Sequence, residues 1–127
     1  MTQLYTLLYI VRYTTLILTV VTAGSFADKI GPTVEDANGK ETESVTLKCS
    51  FETSNEYIWL YWYKQYPNSA PQFLLYKGER SRSGQDSSPD DNRLESKTTR
   101  VSTELTIRGL KLSDSALYHC ALRVAAQ

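Results

Sequence analysis

The residues able to do chemistry in this 127-residue chain are few, and their spacing excludes most reactions. Cys49 and Cys120 stand 71 positions apart and are the two cysteines of the sequence. They can serve as a structural disulfide or as two free thiols, and the redox compartment decides between these. His119 is the single histidine; alone it cannot build a zinc site, which needs further His or Cys ligands. The acidic run Asp86-Ser-Ser-Pro-Asp-Asp91 lacks the ligand spacing of an EF-hand and its bidentate glutamate, so it reads as a solvated turn. There is no Gly-rich phosphate loop, nucleophile elbow or paired-carboxylate cleft. No enzyme, metal or cofactor reading has support. Fourteen Lys plus Arg balance fourteen Asp plus Glu, so no basic excess points to nucleic acid. No Asn-x-Ser/Thr acceptor for an N-glycan occurs.

The compartment is read from the N-terminus. Leu4 to Val21 is mostly apolar, interrupted by Arg12, and is followed by small residues up to Ser25-Phe26-Ala27 and then by charged Asp28-Lys29. This is the grammar of a secretory signal peptide, expected over residues 1–27, with a single domain over 28–127. A membrane anchor is the rival reading. Arg12 would be costly at bilayer depth, and the uninterrupted stretch from Leu16 is too short to span. In the oxidising lumen that a signal peptide implies, Cys49 and Cys120 should be bonded. Closing so long a loop contributes about 4 kcal/mol in the chain-entropy model, against about 5–15 kcal/mol for a whole domain.

The elements that must position these residues alternate with period two. Val45, Leu47 and Cys49 mark one buried face; Ile58, Leu60 and Trp62 mark another, with Trp59, Tyr61, Tyr63 and Gln65 turned away. Pro67 to Pro71 is a turn, and Phe73 to Tyr76 resumes a strand. Lys77 to Asn92 is polar and reads as loops around at most a short edge strand. Leu94–Thr98, Val101–Ile107 and Ala116–Cys120 complete the set; Val101, Thr103, Leu105 and Ile107 share one face, and Leu112, Asp114, Ala116, Tyr118 and Cys120 share one parity. Leu110 to Ser115 suits one helical turn. Seven or eight short strands at this spacing predict an all-β sandwich.

Trp62-Tyr-Lys-Gln65, the stretch Tyr66-Pro67-Asn-Ser-Ala-Pro71-Gln-Phe-Leu-Leu-Tyr76 and Asp114-x-Ala116-x-Tyr118-x-Cys120-Ala-Leu122 together resemble an immunoglobulin-superfamily variable (V-type) domain. They are closer to T-cell receptor alpha or delta variable segments than to antibody light chains. The resemblance covers Lys29 to Leu122. It implies a V-type sandwich of two antiparallel sheets joined by Cys49–Cys120, with Trp62 packed against the bridge, Leu105 in the core and the Tyr118 hydroxyl tying down a corner. It implies too that Arg93 pairs with Asp114 to close one end. Members of this family continue into a Phe-Gly-x-Gly joining strand, whereas this sequence runs only seven residues past Cys120. The expectation is an unrearranged germline segment whose last strand is missing or incomplete, leaving a sheet edge open.

By the same resemblance, antigen would meet the loops at one end. Thr53, Asn55, Glu56 and Tyr57 belong to the first, Lys77, Glu79 and Arg80 to the second, and Leu122 and Arg123 to a third that begins at Ala121. Tyr63, Gln65, Pro71, Phe73 and His119 match positions where paired variable domains meet, with Gln65 suited to an amide hydrogen bond across that interface. The implied partners are a receptor beta- or gamma-chain variable domain, peptide displayed on a major histocompatibility molecule or another antigen, and signalling subunits reached through regions outside this sequence. The implied location is the secretory pathway and the extracellular side of the plasma membrane. A non-rearranging innate or adhesion receptor domain and an antibody light-chain domain are the alternatives.

Overall fold

The computed structural model describes residues 2–11, 20–21, 28–33 and 36–125. The strands are β1 (Thr2–Val11), β2 (Val20–Val21), β3 (Lys29–Pro32), β4 (Asp36–Ala37), β5 (Val45–Glu52), β6 (Tyr57–Gln65), β7 (Gln72–Arg80), β8 (Leu94–Thr98), β9 (Ser102–Ile107) and β10 (Leu117–Ala125). They form two layers. One sheet runs β2-β1-β10-β6-β7, with β4 joining β1, and the other runs β3-β5-β9-β8. All pairings are antiparallel except the two-residue bridge of β4 to β1. The all-β sandwich expected from period-two patterning is the observed fold.

The alternation predicts the core closely. β5 buries every second residue, and β6 buries Ile58, Leu60 and Trp62 while Trp59, Tyr61 and Tyr63 stay half-exposed on the outer face. Two crossings pin the layers at mid-height. Cys49 is bonded to Cys120, with 6.7 Å between their α-carbons. Beside it the Trp62 indole Nε1 donates to Thr103 Oγ1 at 3.3 Å. The register makes these neighbours: Cys120 lies opposite Trp62 in one sheet and Cys49 opposite Thr103 in the other. All four are fully buried. The short 3₁₀ turn Leu112–Asp114 sits where a helical turn was expected.

Four expectations need correction. Val101 and Leu112 lie outside the strands and are well exposed, so their parity carries no burial. Lys77 to Arg80 are not loop: they continue β7 because the long β6 offers them Leu60 back to Tyr57 as ladder partners. The third loop does not begin at Ala121, since β10 stays paired to β6 as far as Val124. Last, the edge beside β10 is taken: no described strand follows β10, and β1 pairs along it from Thr2 opposite Ala125 to Ile10 opposite Leu117. The proposed cleavage site at Ser25-Phe26-Ala27 lies outside the described residues.

Candidate recognition site

The loop end is where β5 leaves, β6 enters and β7 and β10 finish. Its first loop is short and held by its own polar side chains. Thr53 Oγ1 accepts from the Asn55 amide, Asn55 Oδ1 accepts from the Tyr57 amide, and Asn55 Nδ2 donates to the Ala125 carbonyl at 3.0 Å. Such side-chain-to-backbone bonds fix a loop without a ladder. Glu56 and Tyr57 are left exposed.

Arg80 has a different place from the one expected. Its φ of +58° turns the chain at the end of β7, and only 7% of its side chain is exposed. Nη1 donates to the carbonyls of Thr53 (2.6 Å) and Asn55 (2.9 Å), and Nη2 to that of Arg100 (2.7 Å). One guanidinium thus ties three connections together from beneath. The carbonyls have no side-chain signature, so nothing in the sequence marks them as its partners. Lys77 and Glu79 are half-buried strand residues, Lys77 reaching the Ser96 carbonyl and, at 3.8 Å, Asp86. Leu122 is fully buried in the core. Arg123 is half-exposed and donates to the Tyr61 hydroxyl at 2.7 Å.

The outer face of β6, β7 and β10 is aromatic. Tyr61 stacks with Tyr63 and with Tyr76, and Phe73 meets Tyr63 edge-on at 5.9 Å. Phe73 reaches this face through a break in register. Trp62 faces Leu75 but the next residue, Tyr63, faces Phe73, so Leu74 is an extra residue in β7. That bulge turns Phe73 outward while Leu75 stays in the core; Phe73 is 46% exposed and Leu75 2%. Simple alternation would place both on one side. Pro71, just before β7, is exposed. Burial, and secondarily the neighbouring Tyr61, push the Tyr63 hydroxyl pKa above its usual 10.

Gln65 and His119 are not free at this face. Gln65 Nε2 donates to the Ser69 carbonyl and its Oε1 lies 2.8 Å from His119 Nε2. His119 is 8% exposed, and burial lowers its pKa below 6.5, keeping the ring neutral. The two are diagonal neighbours, since Gln65 faces Leu117 and Tyr63 faces His119.

At the opposite end Arg93 grips Asp114 with both arms, Nη1 to Oδ2 at 2.9 Å and Nη2 to Oδ1 at 3.0 Å. Nη2 also meets Asp91, and Nη1 the carbonyls of Arg108 and Gly109. Asp114 Oδ2 accepts from the Lys111 amide, and its carbonyl from the Tyr118 hydroxyl at 2.7 Å. Burial alone would raise the Asp114 carboxyl pKa; the Arg93 bonds, the Lys111 amide and the Arg93 charge outweigh it and hold the group below 3.8. Bonding to Asp114 correspondingly raises Arg93.

This geometry defines a class. Residues 33–127 match the immunoglobulin V-set domain model, and the chain belongs to that family. Among curated human proteins it is 37% identical to T cell receptor alpha variable 14/delta variable 4, over 84% of this chain and 95% of that segment. It is 29% identical to T cell receptor alpha variable 38-2/delta variable 8 (78% and 84% covered) and 34% to T cell receptor beta variable 13 (78% and 77%). It is an antigen-receptor type of variable domain. Among the described residues no helix is long and apolar enough to cross a membrane.

Proposed function

We propose that the chain is the variable domain of a T-cell receptor alpha- or delta-like subunit. It reads peptide–MHC or a related ligand through its loop end while paired with the variable domain of a beta- or gamma-like chain. The observation that carries this reading is the outer aromatic face. Tyr61, Tyr63, Phe73 and Tyr76 form one contacting cluster, Phe73 is set outward by a bulge, and Pro71, just before β7, is exposed. Aromatic side chains gathered on a sheet surface are typical of the centre of an interface. Pairing rests on these rings rather than on a Gln65 bridge, because the Gln65 amide is already engaged within the domain. The loop end then contributes Glu56, Tyr57 and Arg123 to a composite site. Residues 1–27 act as the leader that brings the chain to the secretory pathway and the cell exterior, where signalling falls to other subunits.

Co-refolding the chain with receptor beta and gamma variable domains, followed by sedimentation, tests the pairing. A one-to-one heterodimer that Phe73→Ser weakens at least tenfold is the expected result. A chain that stays monomeric with every partner at tens of micromolar, or that pairs only with itself as an adhesion domain would, refutes it.

A further inference from the structure

At the loop end, two guanidiniums share one indole. The Arg82 guanidinium lies 5.3 Å from the Trp59 ring and the Arg123 guanidinium 5.2 Å from the same ring; Arg82 also lies 4.9 Å from the Tyr57 ring. The sequence brings them there by two routes. Arg123 is the direct cross-strand partner of Trp59. Arg82 arrives through the turn after β7, which folds back over Gly78, the partner of Trp59 on its other side. A β-carbon at Gly78 would stand 1.9 Å from the Arg82 carbonyl oxygen, so only glycine lets the turn close.

What separates these two arginines from the other described ones is their lack of a counter-charge. Arg80 and Arg100 reach Glu56, Arg93 reaches Asp91 and Asp114, and Arg108 reaches Glu95. Among the described residues no carboxylate lies within 4 Å of Arg82 or Arg123. Arg123 has the Tyr61 hydroxyl; among the described residues the Arg82 guanidinium has no hydrogen-bond acceptor, and its Nε is buried without a partner. Stacking alone holds Arg82, which immobilises its plane and leaves its charge unanswered. Two fixed cations beside aromatic rings, open on the ligand side of the domain, are a preorganised receptor for an anion.

We propose that Arg82, Trp59 and Arg123 form an anion-binding subsite of the recognition surface, and that the ligand presents an acidic peptide segment to it. This rests on the reading of the loop end as the ligand-binding end. A carboxylate suits the site better than a nucleic-acid backbone. Only two point charges are free, both at one indole, too few to follow a backbone of regularly spaced phosphates. The chain as a whole carries no net charge.

The test titrates the refolded, arginine-¹⁵N-labelled full chain with an acetylated hexaglutamate amide, its hexaglutamine counterpart and a twelve-nucleotide single-stranded DNA. The readouts are the Nε–H resonances of Arg82 and Arg123 and tryptophan fluorescence. Hexaglutamate should shift both resonances saturably, with affinity reduced at least fivefold in Arg82→Gln and in Arg123→Gln, and not recovered by Arg82→Lys. Thermal melts confirm that the variants fold; if Arg82→Gln fails to, Arg123→Gln alone decides. Equal binding of hexaglutamine, unmoved Arg82 and Arg123 resonances, tighter binding of the DNA, or full affinity in the folded glutamine variants overturns the proposal. None of these outcomes depends on whether a beta- or gamma-like domain pairs, so failure of the subsite and failure of the proposed function are separable.

Discussion

Replacing Asp114 by alanine removes more than one interaction, and the structure lets the cost be apportioned. The carboxylate is 5% exposed and accepts both arms of Arg93 and the Lys111 amide. Removing one partner of a buried ion pair typically costs about 3–5 kcal/mol, mostly by stranding the other charge. Here Arg93 is 22% exposed and keeps Asp91 and two carbonyls, which lowers the pair's share to about 2 kcal/mol. The orphaned Lys111 amide adds up to about 1 kcal/mol. The expected loss is therefore about 2–3 kcal/mol, a fall in Tm of roughly 10–20 °C for a domain this size. Urea denaturation of the oxidised protein measures it. The pH dependence carries the same signature. Asp114 has a folded pKa held below 3.8, so its contribution is complete above the unfolded value and is lost as pH falls below about 4 through the folded one. Asp114→Ala should lose stability at neutral pH but flatten the acid limb. A neutral-pH loss under about 0.5 kcal/mol, or an unchanged acid limb, would show that the pair does not close this end.

His119 gives a second, milder pH response. Burial lowers its pKa, so the unfolded chain takes up a proton near pH 6.5 before the folded one does. Stability should decline by at most about 1.4 kcal/mol between pH 7.5 and 5.5; His119→Gln should erase that decline, and equal slopes in both proteins would contradict it. If residues 1–27 are a removable leader, deleting them uncovers the β10 edge along which β1 now pairs. Hydrogen exchange should then speed up at alternate β10 amides while those bonded to β6 stay protected, and unchanged rates along all of β10 would refute the pairing.

The layered core was readable because burial in a half-buried strand repeats every two residues: Leu47, Cys49, Ile58, Leu60, Trp62 and Leu105 all fall inside on that count. The Tyr118 corner and the Arg93–Asp114 pair are what the family resemblance implies, and both contacts are present. What escaped the pattern are places where backbone, not side chain, decides. The Leu74 bulge resets the parity of β7 without any Gly or Pro to mark it. Arg80 reads as a loop cation, yet its partners are three carbonyls. The resemblance places Leu122 in a loop, whereas β6 is long enough to keep β10 paired beyond Cys120. The Gln65–His119 contact could have been found from the register, as the two are diagonal on one face.

The distribution of these interactions explains how one scaffold can carry different recognition surfaces. At the Arg93 end, stability depends on particular acidic side chains, so substitution there strikes the fold. At the loop end Arg80 holds the first loop and the Thr99–Val101 turn through main-chain oxygens that every residue possesses. The Tyr57 side chain can change without removing an acceptor from Arg80, and a change at Glu56 removes only an ion pair at 4.0 Å while the three carbonyls stay. Arg82 and Arg123 lie outside that framework: they are held by stacking on Trp59 and by one tyrosine hydroxyl, and no carboxylate anchors them. Groups kept in place by aromatic contact and left with unanswered charge contribute little to folding. Their energy remains available for a ligand, which is the division expected of a domain whose ends serve opposite purposes.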